Sequence, residues 1–272
     1  MTTYILLEPV VYGCEDNKII SNTVMFRLKT LTILGSKAEL ASLPEGKLLI
    51  NTINAHSFNT AKKDQLFADA LTNGDVLIPD GASIVKACRW IKAKSRPKER
   101  IAGWDLFEFE MGRLNENQNE NENKKRVMFM GSSEKVLELI SKKAAEVYPN
   151  IEVVTYSPPY KPVFTDEDNR AIVEAINEAN PDLLWIGMTA PKQEKWTYSH
   201  WDELNIHCHV GTIGAVFDFF AGTYKRAPQW WQDHSLEWLY RLIKEPKRMW
   251  RRYVLGNPLF LWNITLEAIG IR

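Results

Sequence analysis

Asp80 stands at the end of an apolar segment, in the run Pro79-Asp80-Gly81. A short buried strand over 76–79 is predicted before it, and a helix is predicted from Ser83 to Lys94. A carboxylate at the carboxyl end of a strand lies where α/β proteins place reactive groups, and it could accept a proton from a substrate hydroxyl. The alternative is a turn or a helix cap, because Asp-Gly is a common turn pair.

Thr52 and Asn54 form a second polar pair, at the end of a predicted strand over 47–53. Residues two apart in a strand share a face, so this hydroxyl and this amide point to the same side. If this strand is parallel and adjacent to the one before Asp80, the pair lies beside Asp80. Hydrogen bonding at the entry to a loop explains the pair equally well.

Two further strand ends open onto predicted helices, GMTAPKQE at 187–194 and GTIG at 211–214. Helix N-termini offer free N–H groups to an anion, with Lys192 and Gln193 as side-chain partners at the first and Asp218 on the helix after the second. Neither sequence has the glycine pattern of a dinucleotide-binding turn or a P-loop. Their shared place at the strand ends favours a nucleotide diphosphate site.

Two sequences look like metal-binding motifs, and each has a simpler interpretation. Asp166-Glu167-Asp168 has the Asp-x-Asp form that many nucleotide-sugar transferases use for a divalent ion, but it follows Thr165 and is typical of a capping box. His207 and His209 share one face of a short predicted strand, but the sequence places no third zinc ligand nearby. We therefore expect a helix cap and structural histidines rather than a metal site.

The segment 235–253, SLEWLYRLIKEPKRMWRRY, is basic and rich in aromatic residues. At about 100° per residue, its apolar side chains fall on one side and its arginines, including Arg241, Arg248 and Arg251, on the other. Such a segment suits an anionic membrane surface or a phosphorylated ligand. The alternative is an ordinary surface helix with its charges in water, and Pro246 interrupts the helical register.

Apolar runs alternate with helical patterns along most of the chain. Strands are predicted over 126–130, 151–155, 182–188 and 206–210, in addition to the two strands before Asn54 and Asp80. Helices are predicted between them, from about residue 59 to 73 and from the Thr165 cap to about residue 179. The alternation predicts an α/β fold with a Rossmann-like parallel sheet covered by helices, plus a basic amphipathic C-terminal helical appendage.

The overall composition excludes several classes of protein. The 272 residues are 45% hydrophobic and 25% charged, which excludes a disordered, collagen-like or coiled-coil chain. Basic and acidic residues number 34 each, and the front half has no basic stripe, so nucleic acid is not expected as a partner. No apolar stretch reaches the roughly 20 residues of a membrane-spanning helix. Residues 1–13 lack the basic start of a signal peptide, and three widely spaced cysteines fit a reducing compartment.

Several longer motifs resemble the WecG/TagA/CpsF family of bacterial glycosyltransferases over about residues 47–262. They are INTINAH (50–56), IPDGASIV (78–85), RIAGWDL (100–106), APKQEKW (190–196), FDFFAGTYKRAP (217–228) and LEWLYRLIKEPKRMWRRYVLGNP (236–258). Their order and spacing match the family, and the last two are specific to it. Ser83, Trp104 and Met188-Thr189 depart from the family's usual residues, close to the expected site.

The resemblance implies an inverting transfer, without a metal or other cofactor. A sugar would pass from a UDP-sugar donor to an undecaprenyl-diphosphate-linked sugar acceptor. The protein would lie in the cytoplasm, bound peripherally to the anionic inner face of the bacterial plasma membrane. N-acetylmannosamine or its uronic acid is the expected sugar, in teichoic acid or other cell-surface polysaccharide synthesis. The alternatives are a UDP-glucuronic acid-using exopolysaccharide transferase and a non-catalytic nucleotide-binding protein, and the question of a homo-oligomer stays open.

The resemblance also implies roles for the candidate residues. Asp80 is expected to be the general base, with Thr52 and Asn54 lining the same pocket. The expected donor-binding residues are Gly131, Lys192, Gln193, Thr212 and Asp218. The expected residues at the acceptor diphosphate and the membrane are Arg241, Arg248 and Arg251.

A polar tract, NENQNENENKK at 115–125, divides the chain and looks like an insertion relative to the family. We expect it to be a solvated loop. It separates an acceptor-side α/β half carrying the catalytic aspartate, residues 1–114, from a nucleotide-sugar-binding half, residues 126–225. Residues 226–272 form the expected membrane and acceptor appendage.

Overall fold

A computed structural model describes residues 25–116 and 124–271 of the chain. At its centre is a sheet of six parallel strands in the order β2-β1-β6-β5-β3-β4. The strands are β1 (Leu48–Ile53), β2 (Val76–Pro79), β3 (Lys125–Gly131), β4 (Ile151–Tyr156), β5 (Leu183–Gly187) and β6 (His209–Thr212). The predicted parallel α/β fold is confirmed. Residues 1–13, most of the 115–125 tract and one of the three cysteines, Cys14, lie outside the described residues, so the expectations for them stay predictions.

Within residues 25–116 and 124–271, eight α-helices belong to the α/β body. They are α1 (Ala55–Ala61), α2 (Gln65–Asn73), α3 (Ala82–Trp90), α4 (Gly103–Glu116), α5 (Glu134–Val147), α6 (Asp166–Ala179), α7 (Lys192–Ser199) and α8 (Gly214–Ala221). Short polar residues start several of them: Asn54, Asp64, Ser133 and Thr165 each accept a hydrogen bond from a backbone N–H of the following first turn. Thr165 and Asp168 form the expected capping box, which confirms the helix-cap interpretation of Asp166-Glu167-Asp168.

The C-terminal residues form a chain of short helices beside the carboxyl ends of β1 and β2. They are α9 (Gln229–Asp233), α10 (Glu237–Lys244), α11 (Pro246–Trp250), a π-helical turn (Arg251–Leu255) and α12 (Gly256–Ala268). The predicted helical appendage is present, and it breaks at Glu245-Pro246 because proline cannot donate the next helical hydrogen bond. None of the described helices is long and apolar enough to span a bilayer.

Three buried clusters hold these layers together. One face of the sheet packs on α4, α5 and α8 through Phe107, Phe129, Trp185 and Phe217. The opposite face packs on α6 and α7. A third cluster joins α1, α2, α3 and α12 and includes Phe58 and Phe260, whose rings meet edge to face 5.5 Å apart between centroids. The helices beside Asp80 are thus fixed by apolar packing.

The helix predicted to run to Lys94 ends at Trp90, and two other predicted elements differ in where they start or in their continuity. The predicted strand at 206–210 begins at His209 and extends to Thr212, although Ile206 and Cys208 are buried without being in the strand. The single helix predicted from about residue 59 to 73 is two helices, because Asp64 starts a new one by capping the N–H of Phe67. Both errors arise because apolar periodicity reports burial more directly than it reports backbone hydrogen bonding.

Residues from both sides of the polar tract form one sheet. β1 pairs with β2 on one side and with β6 on the other, so a front-half strand lies between strands far apart in sequence. The carboxyl ends of all six strands therefore meet at one edge. The functional division of the chain into 1–114, 126–225 and 226–272 stays a prediction.

Candidate active site

Asp80 follows β2 directly, and its backbone N–H donates to the carbonyl oxygen of Ile53 at 2.9 Å. Because Ile53 pairs with Pro79 in the register of β1 and β2, Asp80 and Asn54 leave adjacent strands side by side. The next helix, α3, has Gly81 as its N-cap and no side-chain cap hydrogen bond. The Asp80 carboxylate is therefore not used as a helix cap.

A cleft of about 310 Å³ opens at Asp80 between the α/β body and the C-terminal helices. Asn54, His56 and Gly81 line it from the strand ends and α1. Trp238, Arg241 and Arg252 line it from the C-terminal helices. We call this space, with Asp80 at its wall, the Asp80 cleft.

Burial and nearby charges shift the pKa of the Asp80 carboxyl upward. Burial raises its pKa above the ordinary value, the positive charge of Arg100 opposes the rise, and the negative charge of Glu237 adds to it. Arg252 and Arg241 also favour the ionised form. A carboxylate with a raised pKa holds a proton more readily than an exposed one, as a general base must.

An ion pair crosses the cleft from the body to the appendage. Arg100 Nη2 lies 2.9 Å from Glu237 Oε2 in the first turn of α10, and both side chains are largely buried. Arg100 is held in place because the following residue, Ile101, donates its N–H to the carbonyl oxygen of Pro79, the last residue of β2. This pair sets α10 against the strand end that carries Asp80.

The two polar residues predicted beside Asp80 have different surroundings. Asn54 lines the Asp80 cleft, and its Oδ1 caps α1 by accepting from the N–H groups of His56 and Ser57 at 3.0 and 3.1 Å. Thr52, two residues earlier in β1, is partly exposed and is not one of the described residues that line the cleft. Burial, with help from Arg252, lowers the pKa of His56 to about 4, so the His56 ring is neutral at physiological pH.

A second cavity of about 280 Å³ lies between α8 and α10. Asp218 lines it opposite Arg248, and Arg241 lines both this cavity and the Asp80 cleft. Burial raises the pKa of Asp218, and a hydrogen bond from the Thr223 hydroxyl opposes that rise. The structure thus brings Asp218 together with two of the three predicted appendage arginines.

Gly131 lies where the chain reverses its direction across the sheet. From β3 the chain proceeds outward to β4 and then returns to β5 on the other side of β3, which makes the β3/β5 boundary a topological switch point. Gly131 has φ +118°, and a Cβ there would collide with the carbonyl of Gly187 at the end of β5. The two glycines bring bare backbone to the place where open α/β sheets bind ligands.

The other three residues predicted to bind the sugar donor make hydrogen bonds within the protein. Lys192 Nζ donates to the carbonyl oxygen of Lys161 at 2.6 Å, and the Thr212 hydroxyl donates to Asn51 Oδ1 at 2.8 Å. Gln193 is buried, accepts from the N–H of Gly214 at 3.2 Å and donates to Glu194 at 2.9 Å. Contact of these three residues with a donor stays a prediction.

Arg251 lines neither of the two cavities. Its side chain is exposed, and its guanidinium lies 5.7 Å from the centroid of the Trp250 ring. Trp250 and Trp262 are also exposed, as are several aliphatic side chains of the π-helical turn and α12. The outer surface of the appendage therefore combines cationic and apolar groups.

The described residues form no group of three or more histidine, cysteine or carboxylate side chains that could hold a metal ion. His209, considered as a zinc ligand, instead lies 2.8 Å from Glu110 Oε1 and 2.9 Å from the Pro44 carbonyl oxygen. His207 is exposed and lies two residues before the start of β6. Cys88 and Cys208 are buried free thiols.

Charged and polar side chains gather at the carboxyl ends of a parallel α/β sheet, the edge at which open sheets of this kind bind ligands. The model of the glycosyl transferase WecG/TagA/CpsF family matches residues 25–272, and the chain belongs to that family. The protein is therefore a glycosyltransferase.

Individual relatives agree with this assignment. The chain is 33% identical to a protein of Bacillus subtilis (strain 168) over 219 residues, which cover 80% of this chain and 79% of the relative. It is 30% identical to a protein of Bacillus spizizenii over 242 residues, 88% of each chain. A Staphylococcus aureus (strain MW2) protein is 26% identical over 245 residues, 89% of this chain and 88% of the relative. All three are named N-acetylglucosaminyldiphosphoundecaprenol N-acetyl-beta-D-mannosaminyltransferase.

Sequence reasoning assigned no role to several residues of the Asp80 cleft. These are His56, Lys86, Arg100, Glu237 and Arg252. His56, Arg100, Glu237 and Arg252 stand within the family-like motifs, so a charged residue inside a recognised motif was the available signal. This signal could not show which residues contact each other, because Arg100 and Glu237 meet only in the folded chain.

Proposed function

We propose that this glycosyltransferase moves N-acetylmannosamine, or its uronic acid, from a UDP-sugar to a sugar carried on a polyprenyl diphosphate. The relatives' names supply the acceptor class and the transferred sugar. One structural observation carries the catalytic part of the proposal. Asp80 is a carboxylate of raised pKa in a cleft of about 310 Å³, and it is not used as a helix cap.

The proposed reaction is a direct displacement. Asp80 accepts the proton of the acceptor sugar's hydroxyl as its oxygen forms a bond to the anomeric carbon of the donor. The bond from that carbon to the diphosphate oxygen breaks, and UDP leaves with the electron pair, so the anomeric configuration inverts. Arginines beside the cleft stabilise the charge that develops on the leaving diphosphate, and no metal ion is required.

The strand order sets the distance that a bound donor would have to span. Neighbouring strands lie about 4.8 Å apart, so the end of β2 and the β3/β5 switch point are separated by about three to four strand spacings, roughly 14–19 Å. An extended nucleotide sugar can span much of that distance. We place the nucleoside toward Gly131 and Gly187 and the reacting sugar toward Asp80, with Asn54 and Thr52 near the reacting sugar.

The acceptor would approach from the appendage. Arg241 and Arg248 line the cavity beside Asp218, while Arg251 lies on the outer surface with exposed tryptophans. Cationic and apolar side chains on one surface suit an anionic membrane. We therefore propose peripheral attachment to the cytoplasmic face of the bacterial plasma membrane, where a polyprenyl-linked acceptor is embedded.

The test is a panel of UDP-sugars offered with a short-chain prenyl-diphosphate N-acetylglucosamine acceptor. UDP release and the product mass report both substrates together. We expect product with UDP-N-acetylmannosamine or its uronic acid, and the same rate in EDTA. Transfer from UDP-glucuronic acid alone would favour the exopolysaccharide alternative. Nucleotide binding with no transfer from any donor would contradict the assigned reaction.

A further inference from the structure

The loop that joins β4 to α6 combines a rigid backbone with exposed apolar side chains. Its sequence over 157–164 is SPPYKPVF, with three prolines whose fixed φ restricts the backbone. Tyr160 is fully exposed and Val163 is largely exposed. The Lys161 N–H donates to the Pro159 carbonyl oxygen at 3.0 Å, which closes a tight turn with Tyr160 at its centre. This segment, which we call the Tyr160 loop, therefore presents the Tyr160 ring to solvent.

Two hydrogen bonds attach the Tyr160 loop to the switch point between β3 and β5. The Ser157 hydroxyl donates to the carbonyl oxygen of Ser132, in the turn that follows β3, at 2.9 Å. Lys192, the first residue of α7, donates its Nζ to the Lys161 carbonyl oxygen at 2.6 Å. The loop begins at the edge strand β4, and these bonds connect it to the segments that follow β3 and β5. In sequence, Tyr160 lies between the two attached residues.

Two cationic contacts hold the second half of the loop. Lys161 Nζ lies 2.6 Å from Asp168 Oδ2 in the first turn of α6. Lys192 Nζ lies 3.5 Å from the centroid of the Phe164 ring. A loop that is already ordered loses little conformational entropy when it binds a ligand, so its exposed side chains can contribute fully to affinity.

The place of the Tyr160 loop along the sheet fits the far end of a nucleotide sugar. β4 is the strand furthest from β2, at five strand spacings or about 24 Å, and the loop contacts the segments after β3 and β5, which are nearer. In a nucleotide sugar the diphosphate and the ribose separate the reacting sugar from the base. With the reacting sugar at Asp80, the base therefore reaches toward the switch point and this loop.

The exposed side chain is of the type that binds a nucleobase. An aromatic ring stacks on the flat face of a base, and this contact contributes substantially to nucleotide affinity. The Tyr160 loop lies at the opposite edge of the sheet from β2, beside which the basic appendage packs. The exposed ring is thus separate from the surface that we propose for membrane attachment, which favours a nucleobase over a lipid as its partner.

We infer that the Tyr160 loop is the nucleobase-binding part of the donor site, with the Tyr160 ring stacked on the uracil of the UDP-sugar. This inference rests on the proposed function, because the proposed donor supplies the uracil. The prolines and the bonds to Ser132 and Lys192 hold the ring in position before the donor binds. The loop thereby positions the nucleotide so that its sugar reaches Asp80.

The affinity of the full chain for UDP, measured by calorimetry, tests the stacking contact without requiring catalysis. Tyr160→Ala should bind UDP about fivefold more weakly or worse, because it removes the ring. Tyr160→Phe keeps the ring and should stay within about twofold of wild type. Trp90→Ala is the control, since Trp90 is an exposed aromatic residue at the end of α3, next to β2 and outside both cavities. Wild-type affinity in Tyr160→Ala, or equal losses in the Ala and Phe variants, would overturn the inference.

Steady-state kinetics separate a binding role from a loss of structure. The base is remote from the anomeric carbon, so its contact has the same strength in the ground state and in the transition state. Tyr160→Ala should therefore raise the KM for the UDP-sugar about fivefold or more, with kcat within about twofold of wild type. A lower kcat with an unchanged KM would overturn the nucleobase role.

Two further outcomes separate this inference from its alternatives. If Tyr160→Ala sediments less with anionic liposomes and binds UDP with wild-type affinity, the loop contacts lipid and the inference is wrong. If UDP binding depends on the Tyr160 ring in a protein that transfers no sugar, the proposed function is contradicted and the nucleobase site stands. Transfer by a protein whose UDP affinity is independent of Tyr160 would overturn the inference and leave the proposed function standing.

Discussion

Asp80 combines burial with a mixed set of charged neighbours. Burial raises its pKa, while Arg100 on one side and Glu237 on the other act in opposite directions. The ionised form is the active form of a general base. The rate of transfer should therefore decline as the pH falls through the raised pKa of Asp80, and hold its value above it.

Substitution of Glu237 and substitution of Arg100 should shift the pH at which the rate of transfer declines, and the two shifts should have opposite directions. Glu237→Gln removes a negative charge and lowers the pKa of Asp80, so activity persists to lower pH. Arg100→Gln removes the largest positive influence and raises that pKa, so activity is lost at higher pH. The measurement is kcat against pH for each variant. Shifts in the same direction, or no shift in either, would contradict a catalytic role for Asp80.

At this scale the sequence predicted the residues that follow strands and missed those that meet across the fold. Asp80 and Asn54 could be predicted because each stands directly after a buried apolar run. Arg100 and Glu237 are 137 residues apart and form their 2.9 Å contact only because α10 folds back over β2. Local spacing holds no information about such a pair.

Among the elements, α12 attaches the appendage to the body. Asn263 Nδ2 donates to Asn59 Oδ1 at 3.2 Å, and Asn59 Nδ2 donates to the Gly256 carbonyl oxygen at 2.8 Å. The buried Glu267 carboxylate accepts from the N–H groups of Leu28 and Lys29, each at 3.2 Å. These contacts fix the start and the end of α12, and thereby the π-helical turn that carries Arg252.

Removal of the Glu267 carboxylate should destabilise the fold. Glu267→Ala leaves the Leu28 N–H buried without its acceptor, at a cost of about 1–3 kcal/mol in the free energy of unfolding. Urea denaturation followed by circular dichroism measures the change. Glu174→Ala, at an exposed position of α6, is the control and should stay within about 0.5 kcal/mol of wild type. A Glu267→Ala protein as stable as the control would show that this attachment is unimportant.

The basic appendage should bind anionic membranes. Replacing Arg241, Arg248 and Arg251 together by glutamine should weaken sedimentation with anionic liposomes, because each cation near such a surface contributes about 1 kcal/mol. The control removes the same charge from exposed positions of α5 and α6, through Lys135, Lys142 and Arg170. Equal sedimentation of the appendage variant and the wild type would contradict a membrane role.

Element types were more predictable than element ends. Five of the six strands lie within about two residues of their predicted positions, because buried parallel strands appear as continuous apolar runs. The appendage was predicted as one amphipathic segment and contains a break at Pro246 and a π-helical turn at Arg251–Leu255. The helical periodicity did not indicate the π turn, which directly precedes α12, the helix that packs against α1.

Over the whole molecule, charge is distributed unevenly although basic and acidic residues number 34 each. From Tyr224 to Tyr253 the sequence has eight basic and three acidic residues, so the remainder of the chain is acidic by the same excess. A neutral total thus conceals a cationic region next to the Asp80 cleft. The pairing of β1 with β6 was likewise invisible in sequence, because it joins strands about 160 residues apart.

The buried ion pair between His209 of β6 and Glu110 of α4 should make the free energy of unfolding depend on pH. Although burial alone would act oppositely, the hydrogen bond between His209 and Glu110 raises the pKa of His209 and, with Arg113, lowers the pKa of Glu110. The histidine contribution is complete below its ordinary pKa of 6.5 and is lost as the pH rises through the raised value. The carboxylate contribution is complete above its ordinary pKa of 4.5 and is lost as the pH falls through the lowered value.

His209→Gln should therefore lower the free energy of unfolding most between about pH 4.5 and 6.5, and less at alkaline pH. Urea titrations at intervals from pH 5 to pH 9 measure the difference from wild type. His207→Gln, at an exposed position two residues earlier, serves as the control. A destabilisation by His209→Gln that is constant across this range would show that the pair acts without its charge.

The most direct test of the whole account is turnover by Asp80→Asn. The substitution keeps the size of the side chain and removes its ability to accept a proton, so sugar transfer should fall by about 10²–10⁴-fold while UDP affinity stays within about twofold of wild type. Asp166→Asn, at an exposed position in the first turn of α6, should transfer sugar at the wild-type rate. Wild-type turnover by Asp80→Asn would contradict the assignment of Asp80 as the general base.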